Sequence, residues 1–199
     1  LGDVYKRQVY TETPLNVGNV TGGIYTAPPA PGTSTSFTTA NNALTDATTA
    51  YLSIAPASKP GGTDPGAGEL GGLTLAPGVY AAAAGTFKIT NLDLTLDAQG
   101  DPNAYWIFQS ASSLTVGTPA GARNVILTGG ALAKNVFWYV GSTAVINYAG
   151  GGTMVGTIIA NSGVTLSAPA NSTTTTAQTV LNGRAISLVS SVTMVNTII

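Results

Sequence analysis

The chain has 199 residues, enough for one compact domain. Seven basic and eight acidic side chains leave it only 8% charged, against about 25% in average globular usage, which excludes the basic face of a nucleic-acid binder and charge-driven adsorption to a membrane surface. With no His and no Cys, imidazole and thiolate catalysis, disulfides and His- or Cys-ligated metals drop out, and no apolar run reaches the roughly 18–20 residues that span a bilayer.

In place of charge the chain carries 30 threonines and 25 glycines, with 44% apolar residues. That apolar share suits a packed core and is too high for a disordered stalk. Residues 1–8, LGDVYKRQ, hold three of the fifteen charges (Asp3, Lys6, Arg7) and match nothing downstream. We read them as a non-native tract and 9–199 as a single domain with a truncated N-terminal coil. Any export signal lies upstream of what is present.

Residues 9–26 read as short extended pieces, and APPAPGTST as a Pro/Gly linker. A helix is predicted over about 36–55. Phe37, Leu44 and Tyr51 recur every seven residues, and Ala40, Ala47, Ile54 and Ala55 widen the stripe. Ser34–Ser36 offer caps, and Pro56 stops the helix. Its other positions are Thr and Asn, weak helix formers, so the stripe must pack on something.

From Leu73 onward an apolar–hydroxyl–apolar triplet returns. It reads Leu73-Thr74-Leu75, Leu94-Thr95-Leu96, Leu114-Thr115-Val116, Ala144-Val145-Ile146, Val164-Thr165-Leu166 and Val192-Thr193-Met194. Alternation at period two means strands with one buried face. Recurrence every 20–30 residues means one solenoid coil per repeat. A second class of strand is apolar at consecutive positions: Trp106-Ile107-Phe108, Phe137-Trp138-Tyr139, Ile158-Ile159-Ala160 and Ala185-Ile186. Both of its faces are covered, and the helix is the one apolar element left to cover the outer one. Six coils at about 4.8 Å span about 29 Å, the length of a 20-residue helix.

Five stretches carry a resemblance: GELGGLTLAPGVY (68–80), LTLDAQGDPNAYWIFQ (94–109), AKNVFWYVGS (133–142), GTIIANSGVTL (156–166) and LNGRAISL (181–188). In this order the chain resembles the microbial ice-binding proteins with a discontinuous β-solenoid flanked by one long helix. The resemblance implies a mainly β fold, a right-handed three-sided β-solenoid with a single α-helix along one face. It implies a chain that leaves an N-terminal coil, follows the helix and winds back, so that truncation leaves Val192–Ile199 with an open strand edge. Many members carry Thr-Ala/Gly-x-Thr/Asn on the ice face. Ser162-Gly163-Val164-Thr165 differs from it at one position, and the tetrads at 112–115 and 190–193 at two.

On one face of such triplets, side chains i and i+2 point outward together. We expect one column of Ser113, Thr143, Gly163 and Ser191, and a second of Thr74, Thr95, Thr115, Val145, Thr165 and Thr193. Neighbours within a column are about 4.8 Å apart and the columns about 6.8 Å apart, near the ice repeats of about 4.5 Å and about 7.4 Å. Thr presents a methyl and a hydroxyl on a stiff χ1. The expected ligand is therefore the ice surface with its ordered water, met on a flat, nearly uncharged face. We expect a secreted or cell-surface monomer with no cofactor, no metal and no enzymatic activity.

Other readings stay open. A surface adhesion or carbohydrate-binding module could use the same scaffold, with Trp106, Trp138 and Tyr139 as a stacking platform; dense apolar neighbours favour a core role instead. Asp93, Asp97 and Asp101 raise a glycoside-cleaving β-helix, yet Asp97-Ala-Gln-Gly-Asp101 is a turn signal. Glu69 and Asp64 read as solvated loop residues, and Arg123, Lys134 and Arg184 as corner residues capping carbonyls. The run 173–176 reads as a loose loop.

Overall fold

A computed structural model describes residues 22–29, 32–168 and 177–199. The tract at 1–8 and the loop at 173–176 lie outside the described residues. Thr33 opens helix α1, Ser34–Ser53, with a capping box. The Ser36 N–H donates to the Thr33 hydroxyl at 3.0 Å, and the Thr33 N–H donates to Ser36 Oγ at 2.8 Å. The helix thus starts and ends two residues before the expected 36–55. Within it Thr38, Thr39, Thr45, Thr48 and Thr49 each donate to the carbonyl four residues back, which lets weak helix formers sit on a solvated face.

Beyond the Gly/Pro-rich segment the chain winds as a three-sided β-solenoid of parallel, in-register strands. The first side holds β1 (Thr74–Leu75), β4 (Leu94–Asp97) and β7 (Val125–Thr128). The second holds β2 (Gly78–Ala81), β5 (Trp106–Ser110), β8 (Val136–Val140), β10 (Thr153–Ala160), β12 (Thr179–Ser187) and β14 (Thr197–Ile198). The third holds β3 (Phe87–Ile89), β6 (Leu114–Val116), β9 (Thr143–Ile146), β11 (Gly163–Leu166) and β13 (Val192–Met194). Within each sheet the strands follow chain order, as one coil after another requires.

The interior is filled by residues that stack on their own counterparts in the next coil. Phe108 stacks on Trp138 at 4.1 Å and on Tyr80 at 5.3 Å. Both tryptophans are buried, and their ring N–H groups are satisfied by carbonyls, Trp106 on Leu75 and Trp138 on Val155. The second sheet is apolar on its outer surface as well, as its sequence requires. Tyr51 of α1 and Ile54, which caps the helix, bury against Ile107 and Ile159, with Phe137, Tyr139 and Ile186 alongside, and Tyr51 stacks on Tyr139 at 4.2 Å. Gln109, buried in the same outer surface, donates to the Ile54 and Lys59 carbonyls and so satisfies the end of the helix. Leu44 and Thr48 border Leu188 of the last full coil, so α1 lies across the strands. Toward its N-terminal end Ala40 is buried, whereas Phe37 is 40% exposed.

The two ends of the stack differ. At one, Thr63 bridges Tyr80 and Glu69 bridges Lys88, and the loop is tied down by carboxylates rather than left solvated. Asp64 accepts from the N–H groups of Gly68 and Ala83. Glu69 accepts from the N–H groups of Gly71 and Thr90 and from the Thr90 hydroxyl. At the other end, among the described residues, β13 pairs only with β11 and β14 only with β12. Met194, Ile198 and Ile199 are exposed there.

Burial raises the Glu69 carboxyl, but hydrogen bonds from Thr90, Gly71 and Asn91 outweigh it and hold the group below its ordinary range. A depressed carboxylate stabilises the fold above its unfolded value, about 4.3, and that contribution is lost as pH falls through the folded value. Glu69→Gln should lower the melting temperature at about pH 7, and the gap to the parent should close below about pH 4. Thermal melts across that range check this.

Candidate ice-facing surface

Among the described residues no helix covers the third sheet, the broader of the two sides that α1 leaves open. Along its strands Leu114, Val116, Ala144, Ile146, Val164 and Leu166 point inward and are buried. The alternate positions therefore point out, and the register aligns them. Lys88, Thr115, Val145, Thr165 and Thr193 form one column. Thr143 and Gly163 are register partners in the other. Ser113 and Ser191 continue it, and Thr86 joins it through its hydroxyl, 3.2 Å from that of Ser113. In-register parallel pairing sets neighbours about 4.8 Å apart. Among the described residues the hydroxyls of Thr115, Thr143, Thr165, Ser191 and Thr193 have no protein partner, so they are free for water.

Rigidity comes from the corners. Gly117, Asn147 and Ser167, which follow β6, β9 and β11, all take positive φ (80°, 48° and 63°) and turn the chain at the same place in successive coils. Asn147 is wholly buried there; it accepts from the Arg123 N–H and donates to the Arg123 carbonyl. Arg123 also donates to the Thr90 carbonyl, the corner role expected of it. At the opposite corner Ser142 donates its N–H and its hydroxyl to the Ser112 carbonyl, and the Ser162 N–H donates to the Ser142 carbonyl. Ser142, the leading serine of its tetrad, thus pins the edge of the sheet through its side chain.

Two expected members are elsewhere. Thr74 and Thr95 are register partners on the first sheet, in line with Ile126. They are separated from the Thr115 column by a corner. The reason is that coil β4–β5–β6 contains two triplets, Leu94-Thr95-Leu96 before the Trp106 strand and Leu114-Thr115-Val116 after it. That first sheet is also not free of charge. Asp93 holds the Asn124 N–H and side-chain amide, and Asp97 lies opposite Thr128.

The column that Thr74 and Thr95 leave is continued instead by Lys88 and, one bridge further, Glu69. The third sheet is therefore uncharged over β6, β9, β11 and β13 and charged at β3. The Phe87-Lys88-Ile89 alternation is legible in the sequence, but no hydroxyl marks it. Arg184 also departs from its expected place: it lies in β12, opposite Thr157 and in line with Phe137, beside a crevice of about 510 Å³ shared with Asp46 of α1. Lys134 sits in a 3-10 turn before β8, as a corner residue should. Asp97 and Asp101 cap the N–H groups of Gln99 and Asn103, the turn role expected of them.

The sequence model of the Ice-binding-like family matches residues 3–199. An ice-binding protein of Colwellia sp is 40% identical over 139 residues, covering 68% of this chain and 52% of that protein. One of Nostoc sp. (strain HG1) is 40% identical over 141 residues, covering 69% and 47%. The chain thus spans about half the length of these relatives. Among solved structures, an ice-binding protein from an Antarctic biological consortium is 36% identical, with a TM-score of 0.66 over 79% of this chain and 64% of that one. The DUF3494 domain of a Shewanella frigidimarina ice-binding protein is 28% identical, with a TM-score of 0.69 over 88% and 66%.

Proposed function

This chain belongs to the Ice-binding-like family, and from that premise we propose that it adsorbs to ice through the outer surface of the third sheet. Adsorption would give thermal hysteresis and inhibit recrystallisation. The residues in contact are Ser113, Thr143, Gly163 and Ser191 in one column and Thr115, Val145, Thr165 and Thr193 in the other. Thr74 and Thr95 take no part, since they lie on another sheet. The observation that carries the reading is the register: four successive parallel strands present two straight columns of small, mostly hydroxyl-bearing side chains with no charge among them. Each methyl and hydroxyl holds water weakly. Fixed on a stiff sheet they hold it together, at little cost in side-chain freedom.

The role is non-enzymatic and the protein acts as a monomer, outside the cell or at its surface. The carboxylates at 64, 69, 93, 97 and 101 cap backbone N–H groups, which supports a structural use of them. The test is ice-affinity partitioning of the purified chain, with hysteresis measured on the same sample. Enrichment in the growing ice is expected. Exclusion from ice together with the absence of hysteresis would overturn the reading in favour of an adhesion or carbohydrate-binding module.

A further inference from the structure

On the reading that this sheet meets ice, we infer that Lys88 sets the boundary of the contact patch. Lys88 is the register partner of Thr115. Phe87 and Ile89 on either side of it are wholly buried, so the lysine points outward in line with the Thr115 column, and it is exposed. In that strand the other column is already suited to ice, for Thr86 stands beside Ser113. One side chain therefore separates a four-strand patch from a five-strand one.

Lys88 interrupts the patch in two ways. Its ammonium is a compact, strongly hydrated charge, which orders water around itself radially and against a lattice. Its four-carbon stem also reaches well above the level of the threonine methyls. The neighbouring carboxylate does not neutralise it: Glu69, the next residue along the column, has both oxygens turned to Thr90 and Gly71. Ice held against Thr115 and Ser113 meets a fixed charge at the next strand, and contact ends there.

The experiment measures hysteresis at matched concentration on the whole chain. Lys88→Thr should raise it about twofold, as one more row of weak contacts allows. Lys88→Gln should raise it less, because the charge goes but most of the length stays. Lys134→Thr removes the same charge from an exposed turn away from the sheet and should give no gain. Thr86→Tyr added to Lys88→Thr should cancel the gain. The flanking core is untouched, so melting temperatures should match and exclude a folding effect. If Lys88→Thr shows no gain while Thr165→Tyr still loses activity, the boundary is overturned and the ice face stands. A gain from Lys134→Thr as large as that from Lys88→Thr would also overturn the boundary, by tracing the effect to net charge. If the parent chain shows no hysteresis, both readings fall.

Discussion

Thr165→Tyr should remove most of the thermal hysteresis, a loss of about tenfold or more, with circular dichroism and melting temperature close to the parent's. Thr165 lies near the middle of the patch, between Val145 and Thr193 in its column. Its chain neighbours Val164 and Leu166 are buried on the other side of the sheet, so an outward substitution leaves the core alone. A phenol ring there stands well above the surrounding methyls and lifts neighbouring rows off the lattice at once. Losing one hydroxyl or one methyl removes only one weak contact, so Thr165→Ser should be much milder. Gly163→Tyr should act like Thr165→Tyr, although a Cβ at Gly163 meets the Ser191 carbonyl oxygen at 3.3 Å and its melting temperature must be read beside its activity. Full activity in both tyrosine variants, with loss on Thr95→Tyr, would move the ice face to the first sheet.

The second large effect concerns stability. Ile54→Asp should cost about 3–5 kcal/mol, a fall of about 10 °C in melting temperature for a chain of this size. Ile54 is 8% exposed and packs with Tyr51 on Ile107 and Ile159. A carboxylate at that position is set among the apolar side chains of that cluster. Phe37→Asp, at the exposed start of the same helix, should stay within about 0.5 kcal/mol of the parent. Thermal melts of the two variants compare the two ends directly. Equal melting temperatures would mean that α1 is not a brace.

The contrast between these helix ends was not legible in the sequence. The stripe of Phe37, Leu44 and Tyr51 is uniform, and only the structure shows that Ala40, Tyr51 and Ile54 are buried while Phe37 is left exposed. The strands that α1 covers were legible, because Trp106-Ile107-Phe108 and Phe137-Trp138-Tyr139 are apolar at consecutive positions and nothing but a two-sided burial permits that. The hydroxyl triplets were harder. An alternating strand records that one face is buried, and it says nothing of which side of a three-sided coil it occupies. Leu94-Thr95-Leu96 and Leu114-Thr115-Val116 look alike in the sequence, yet the corners on either side of the Trp106 strand put them on different sheets. What separates them is phase within the coil. Counted from Phe87, the third sheet recurs at Leu114, Ala144, Val164 and Val192. Phe87-Lys88-Ile89 escapes a search for hydroxyls, and with it the true first row of the sheet.

The uneven ends of the stack bear on where the molecule opens first. Coils of a solenoid touch only their immediate neighbours, so opening can start at an end and travel inward. The loop that bridges Tyr80 and Lys88 closes one end, while among the described residues β13 and β14 are each held from one side. Amide hydrogen exchange should therefore grade along the axis, slowest around Phe108 and Trp138 and fastest from Val192 onward. Thr193 and Ser191 lie on that last coil, so under the proposed function the area offered to ice should shrink by a row before the fold as a whole gives way. The proposed footprint on ice would then be tied to local opening at one end, and clamping that end should enlarge its time average without altering a single contacting side chain.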